Sequence, residues 1–468
     1  MNSSLAARSP IPLIDQSLIP CLEETSLLTD LYQLTMAACY VGEQLDQRPA
    51  SFELFTRRLP HEFGYLIAMG LAQAIEYLEN FHIRSTQIDE LRETGIFAQA
   101  PPAFWTVITE QRFTGTVWAL PEGTAVFANE PLLRVEAPLW QAQIVETYLL
   151  NTLNYQTLVA TRAARLRDVA GAAATLLEFG TRRAFSPQAS LWAARAALAG
   201  GLDATSNVLA ALKLGQKPAG TMAHSLVMAL AATEGSESAA FAAFHRYFPG
   251  APLLIDTYDP IAAAQKLADK LQQGEIQLAG VRLDSGDLRL LSQQVRQLLP
   301  HVPIFASGDL DEFRIAELRA AGACIDGYGL GTQLVTGTPV NGVYKLVDID
   351  GVPVMKEAPD KVTYPGRKQI FRQYEQGVAV GDRLGLMTES GTEDPPSEMS
   401  GQPLLQLVMQ DGKRLQPVES LEAIAARTRA SVISLPDAVR LPRQPANFPV
   451  EPSAGLLTLV EQTRKGTR

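Results

Sequence analysis

The chain has 468 residues, of which 46% are hydrophobic and 19% charged, and it carries a formal net charge of −10. That length exceeds the usual single-domain range, and the composition is that of an ordinary core-forming protein, so two domains or one large barrel with additions are expected. The acidic balance argues against a general nucleic-acid binder, and Cys21, Cys39 and Cys324 are too scattered for a disulfide framework or a zinc site. No window holds the roughly 18 apolar residues of a membrane-spanning helix. The first twenty residues lack the unbroken apolar run of a signal peptide, so a cytoplasmic protein is expected.

In chain order, residues 1–24 read as an irregular arm. Leu31, Leu34 and Ala38 have helical spacing and predict a helix over 29–41, with Thr29 or Asp30 placed to cap it. Residues 51–57 alternate as a strand. Between 111 and 137, short β runs separated by turns such as Pro121-Glu122-Gly123 predict antiparallel pairing. A long helix follows over 139–170.

The rhythm then changes. Short apolar runs at 175–179, 252–255, 277–283, 302–306 and 324–328 alternate with helical segments, the later ones about 25 residues apart. Such βα repeats build a parallel sheet. Asp256, Asp284, Asp309 and Asp326 fall at or just past the ends of these runs. In α/β barrels that edge carries the active site, although an aspartate there can equally cap the next helix. Beyond 345 the sequence predicts a strand at 343–347, a basic strand or turn at 361–372, a loop at 389–401 and helices over 420–429 and at the end.

His224 stands out among five histidines. It lies in Ala219-Gly220-Thr221-Met222-Ala223-His224-Ser225, at the predicted start of a helix, where N–H groups and the hydroxyls of Thr221 and Ser225 make an anion-receiving geometry. A plain helix-capping segment is the alternative. In Val281-Arg282-Leu283-Asp284-Ser285-Gly286-Asp287, strand alternation puts Arg282 and Asp284 on one side. They meet a ligand, a metal or water, or else form a structural ion pair. Ser307-Gly308-Asp309 and Gly329-Leu330-Gly331-Thr332 follow the next two runs and, with Ser285-Gly286, suit a phosphate cradle. Arg182 and Arg183, in Glu178-Phe179-Gly180-Thr181-Arg182-Arg183, can grip carboxylate or phosphate, unless they are a solvated surface pair. This rim suits a ligand with several phosphates and a carboxylate, leaving Asp284 and Asp287 for sugar hydroxyls or, through water or substrate, for Mg²⁺.

These residues closely resemble the nicotinate phosphoribosyltransferase family. The matching stretches are Leu28-Thr29-Asp30-Leu31-Tyr32-Gln33, residues 178–184, 220–225, 281–288, 307–312 and 327–336, and Pro365-Gly366-Arg367-Lys368, all in the family's order. The resemblance implies an irregular α/β (TIM-like) barrel of type II phosphoribosyltransferases over 151–344. A sandwich domain from 25–150 and 345–468 adjoins it, with the arm 1–24 outside both. It implies a cytoplasmic homodimer with shared active sites that joins nicotinate to phosphoribosyl pyrophosphate. Mg²⁺ would be its metal and ATP its co-substrate in this first step of NAD synthesis from nicotinate.

By the same resemblance, Tyr32 stacks on the pyridine ring, often from the neighbouring subunit. Arg282 holds substrate, and Gly329, Gly331 and Thr332 receive the ribose 5-phosphate. His224 is phosphorylated by ATP. Ser206 aligns with an aspartate of the related nicotinamide enzyme, and a hydroxyl there does not repel nicotinate as a carboxylate would. Arg182, Arg183, Thr221, Ser225, Ser307, Gly308 and Asp309 complete the candidate substrate contacts, with His224, Asp284 and Arg282 as the catalytic set. Where the family tends to carry a serine, Pro359-Asp360 stands between Lys356 and Lys361, which leaves those lysines without an assigned ligand role. Two other readings remain open: a sister enzyme acting on nicotinamide or quinolinate, and a non-catalytic phosphosugar sensor on the same scaffold.

Overall fold

Alternating apolar residues in the first third of the chain pair into the antiparallel ladder that their spacing predicts. The computed structural model describes residues 18, 20–109, 111–358, 361–391 and 401–466. Within it the strand Pro49–Thr56 is central to a seven-stranded sheet, flanked by Gly342–Ile349 and Pro131–Pro138. Thr116–Ala119 and Gln406–Gln410 extend it on the far side of Pro131–Pro138. A four-stranded sheet of Gln402–Pro403, Lys368–Glu375, Val378–Leu386 and Val450–Pro452 packs against it. Both faces of the central strand are therefore buried, and charges there must be paired. Glu53 accepts from the Lys368 backbone N–H and pairs with its ammonium, both at 2.8 Å, beside the buried Arg134.

The second layer is a parallel sheet of six strands. Its spatial order is Ala204–Thr205, Thr175–Glu178, Gly327–Leu330, Ile304–Ala306, Val281–Leu283 and Leu253–Leu254. Along the chain, every strand but one pairs with its successor, the exception being Ala204–Thr205 with Leu253–Leu254, and the last strand returns to pair with the first. That is the ring order of an α/β barrel. The ring has one seam, between Ala204–Thr205 and Leu253–Leu254, where no ladder forms among the described residues. Residues 219–222 span it: the Ala219 N–H donates to the Thr205 carbonyl at 2.9 Å, and the Thr221 hydroxyl donates to the Pro252 carbonyl. This seam makes the barrel irregular.

Helices cover the ring, and their caps resolve the ambiguity over strand-end aspartates. Asp259, Asp287 and Asp311 accept backbone N–H groups at the starts of Pro260–Gln272, Leu288–Leu298 and Glu312–Ala320. The capping role therefore falls on the later acid of each strand end. Asp256, Asp284 and Asp309 are left to the rim. Asp326 corrects the expectation: it precedes Gly327–Leu330, and its carboxylate holds Arg296 and the Ile304 N–H on the opposite face of the ring.

Other differences are local. The long helix breaks at Val145 into Leu139–Ile144 and Glu146–Ala170, because the chain turns there from one layer towards the other. The expected arm ends in a 3₁₀ turn, Leu22–Leu27, whose Ser26 hydroxyl receives the His82 N–H; residues 1–17 and 19 lie outside the described residues. Of the expected 389–401 loop, 392–400 lie outside them too. No helix among the described residues is long and apolar enough to cross a membrane.

Candidate active site

The C-terminal ends of the parallel strands gather most of the expected residues. His224 is the first residue of the helix His224–Glu234. Its Nδ1 lies 3.1 Å from the Thr257 hydroxyl, and its Nε2 lies 3.8 Å from Asp284 Oδ2. The other Asp284 oxygen accepts the Ser307 hydroxyl. Two adjacent strand ends therefore converge on one carboxylate, and the histidine, which follows the segment filling the seam, faces it over the end of Leu253–Leu254.

Arg282 does not form the structural ion pair that would have explained it away. Among the described residues its one hydrogen bond goes from Nη2 to the Met222 carbonyl at 3.3 Å, and its Nε is buried without a partner. Burial pushes the guanidinium below its ordinary value, while the carboxylates of Asp284 and Asp256 act to raise it. A buried, half-unsatisfied guanidinium among glycine loops has donors left for a further acceptor. Arg182 and Arg183 are exposed in the turn after Thr175–Glu178, and neither makes an ion pair among the described residues. Beneath that turn the buried Glu178 carboxylate accepts the Gly180 N–H and the Thr205 hydroxyl. Burial holds Glu178 above the usual carboxylate range against those two hydrogen bonds.

The glycine loops are built by close approach. Gly329 lies inside its strand rather than after it, and the Phe179 ring packs where a side chain would stand: a Cβ there would meet the ring at 2.5 Å. Gly331 and Thr332 follow at the strand end, with Thr332 opening a single helical turn. Gly308 and Asp309 both adopt positive φ, +98° and +47°. Ser206 is fixed by its N–H to the Glu178 carbonyl at 2.9 Å, and Ser225 is exposed beside His224.

Three expected residues carry further contacts or lie elsewhere in the chain. Asp287 also caps a helix, its Oδ1 accepting the Leu290 N–H at 3.1 Å. The Thr221 hydroxyl proton is committed to the seam. Tyr32 belongs to the helix Leu31–Gly42 of the other layer, where its charged neighbours are Glu146 and Asp30 rather than rim residues. Lys345 also lies near Glu146, with Arg57 and Lys356 beside it. This basic cluster was not legible in the sequence. Pro359-Asp360 lie outside the described residues.

Comparison with known proteins fits this geometry. Residues 27–154 match the nicotinate phosphoribosyltransferase N-terminal domain, 174–299 the nicotinate phosphoribosyltransferase family, and 367–460 its C-terminal domain. The chain is 42% identical to nicotinate phosphoribosyltransferase of Bacillus subtilis over 386 residues, 78% of this chain and 77% of the relative. The human protein of that name is 35% identical over 521 residues, 94% of this chain and 97% of the relative.

The chain belongs to the nicotinate phosphoribosyltransferase family.

Solved structures agree. Human nicotinic acid phosphoribosyltransferase superposes with a TM-score of 0.80 at 32% identity, covering 93% of this chain and 99% of that one. A nicotinate-nucleotide pyrophosphorylase from Pyrococcus furiosus gives 0.71 at 25% identity, covering 90% and 98%. Within the family site, sequence reasoning leaves Asp256 between cap and function and passes over Thr257. A threonine whose partner lies 33 residues away has no spacing signal.

Proposed function

We propose that this chain is a nicotinate phosphoribosyltransferase. It joins nicotinate to 5-phosphoribosyl 1-pyrophosphate, giving nicotinate mononucleotide and pyrophosphate, with ATP as co-substrate. The observation that carries this reading is the rim itself: His224 facing Asp284 at 3.8 Å, beside an Arg282 that makes no ion pair among the described residues. In the reaction the pyridine nitrogen bonds to the ribose anomeric carbon as the bond to pyrophosphate breaks. Positive charge builds on the sugar and negative charge on the leaving group. Arg282, Arg182, Arg183 and the loop N–H groups position and stabilise the phosphates, and Asp284 receives the ribose side. His224 takes the γ-phosphoryl group of ATP, releasing ADP, and loses it to water in each cycle.

The described residues hold no group of three or more metal-ligating side chains. Mg²⁺ fits as an ion that arrives with substrate phosphates and would be met, through water or substrate, by Asp284 with Asp287 near it. When bound it would neutralise charge on the leaving pyrophosphate.

A homodimer with shared sites is supported by two exposed surfaces. Leu28, Leu31 and Tyr32 are about half exposed on one layer, near the basic cluster. Phe185, Val208, Leu209 and Leu212 are exposed on the barrel near its rim. Apolar patches of this kind mark association surfaces. The cytoplasm is the compartment this reading implies, where the free Cys21, Cys39 and Cys324 stay reduced.

Nicotinate, nicotinamide and quinolinate assayed side by side, with and without ATP, test the proposal. Pyrophosphate release matched to nicotinate consumption is expected. Preferred turnover of either other pyridine would reassign the substrate, and phosphoribosyl pyrophosphate binding without turnover of any would leave a sensor.

A further inference from the structure

The strand Leu253–Leu254 runs on into Asp256-Thr257, and these neighbouring side chains engage two different loops. Asp256 Oδ2 accepts the backbone N–H of Asp284 at 2.7 Å and the hydroxyl of Ser285 at 2.8 Å. The Thr257 hydroxyl meets His224 Nδ1 at 3.1 Å. The groups thus held, Asp284 and His224, are the pair that face each other at 3.8 Å. Neither residue is needed as a helix cap, because Asp259 accepts the Ile261 and Ala262 N–H groups at 3.0 Å. Asp256 Oδ1 is buried with no partner among the described residues. Such an oxygen is costly in a purely structural role.

We propose that Asp256 and Thr257 are a pair of positioning residues: Asp256 clamps the turn that presents Asp284, and Thr257 sets the ring of His224. The proposal rests on the rim being the phosphoribosyl-transfer site. Coulombic attraction from Asp284 favours a proton on the facing Nε2, so the Thr257 hydroxyl donates to Nδ1 and selects the Nε2–H tautomer. A hydroxyl suits this task because it can rotate away when the nitrogen takes another partner. Since the two residues are consecutive, one short piece of backbone ties the His224 and Asp284 loops together. A displacement of about 1 Å in such a pair is enough to cost on the order of 100-fold in rate.

Thr257→Val keeps the shape and removes the donor. With ¹⁵N-labelled histidine, and His224 assigned by difference from His224→Ala, this variant should shift the ring nitrogens of His224 towards a tautomer mixture. It should also lower the ATP-stimulated rate more than the ATP-independent one. Thr257→Ser should restore both. Asp256→Asn should raise the KM for phosphoribosyl pyrophosphate and lower kcat, roughly tenfold or more in kcat/KM. Unchanged His224 resonances in a folded Thr257→Val, or wild-type kcat/KM in Asp256→Asn, would overturn the respective assignment. If the Thr257→Val protein does not fold, Thr257→Ala read against Thr257→Ser decides the same point. Lack of any ATP stimulation in the unsubstituted protein would count against the ATP reading alone, because the ring resonances still report on Thr257.

Discussion

Gly308 sits so close under the Asp284 carbonyl that a Cβ built on it would penetrate that oxygen, and its φ of +98° is one that L side chains rarely adopt. The neighbouring Ser307 hydroxyl holds the Asp284 carboxylate. One loop thus fixes both the backbone and the side chain of the acid. Gly308→Ala should cost about 1–3 kcal/mol through backbone strain and displace Asp284. A melting temperature several degrees lower, with kcat/KM down at least tenfold, is the expected result. Wild-type kinetics would show that the rim tolerates the shift.

Arg282 is charged and anchored by one carbonyl. Arg282→Ala should weaken use of nicotinate and phosphoribosyl pyrophosphate by about 1.5–3 kcal/mol, roughly 10- to 150-fold in kcat/KM. Unchanged kcat/KM for both substrates would return Arg282 to a scaffold role.

Tyr32 lies away from the rim of its own chain. Tyr32→Ala should raise the KM for nicotinate more than that for phosphoribosyl pyrophosphate, because a ring stacks on pyridine alone. Co-expression with His224→Ala gives a direct test of sharing. A mixed dimer contains one site with an intact barrel and an intact Tyr32, so ATP-coupled turnover with the parent's nicotinate KM should reappear. An ATP-coupled rate that keeps the raised KM of Tyr32→Ala would place Tyr32 outside a shared site.

For His224, γ-labelled ATP should leave an acid-labile, base-stable label, as a phosphoramidate does. His224→Ala should abolish the label and the ATP stimulation while a slower ATP-independent rate survives, because Arg282 and the glycine loops still position substrates. A label persisting in that variant would locate the phosphate elsewhere.

Stability should also depend on Glu130, far from the chemistry. Burial, reinforced by the adjacent Asp382, pushes its carboxyl well above the usual range, with Arg372 opposing. The folded state therefore binds this proton more tightly than the unfolded chain. The associated stability is fully present below the unfolded carboxylate value of about 4.3 and is lost as pH rises through the folded value. Melting temperatures from acid to alkaline pH should fall less steeply in Glu130→Gln than in the parent. Parallel curves would mean that Glu130 titrates alike in both states.

The barrel was legible because its βα rhythm is local: apolar runs, small-residue turns and acids recur where each strand ends. The sequence could not separate the two acids at each end, since cap and ligand use the same carboxylate chemistry; only the backbone geometry of Asp259 and Asp287 assigns them. The placement of Asp326 failed for a related reason. Its strand starts later than the apolar run suggests, which moves the acid to the opposite face. Thr257, the Glu178 support and the cluster of Arg57, Lys345 and Lys356 were invisible because each depends on partners brought together only by folding.

The unladdered seam has a mechanical consequence. The other staves of the ring are locked to their neighbours by repeated backbone pairing, whereas residues 219–222 are tied by one bond on each side. That stretch leads directly into His224 and supplies, through Met222, the carbonyl that anchors Arg282. The least-paired part of the wall is therefore the part that carries His224 and steadies Arg282. Breathing there changes the spacing of histidine, guanidinium and carboxylate together, and leaves the remaining strand pairs undisturbed.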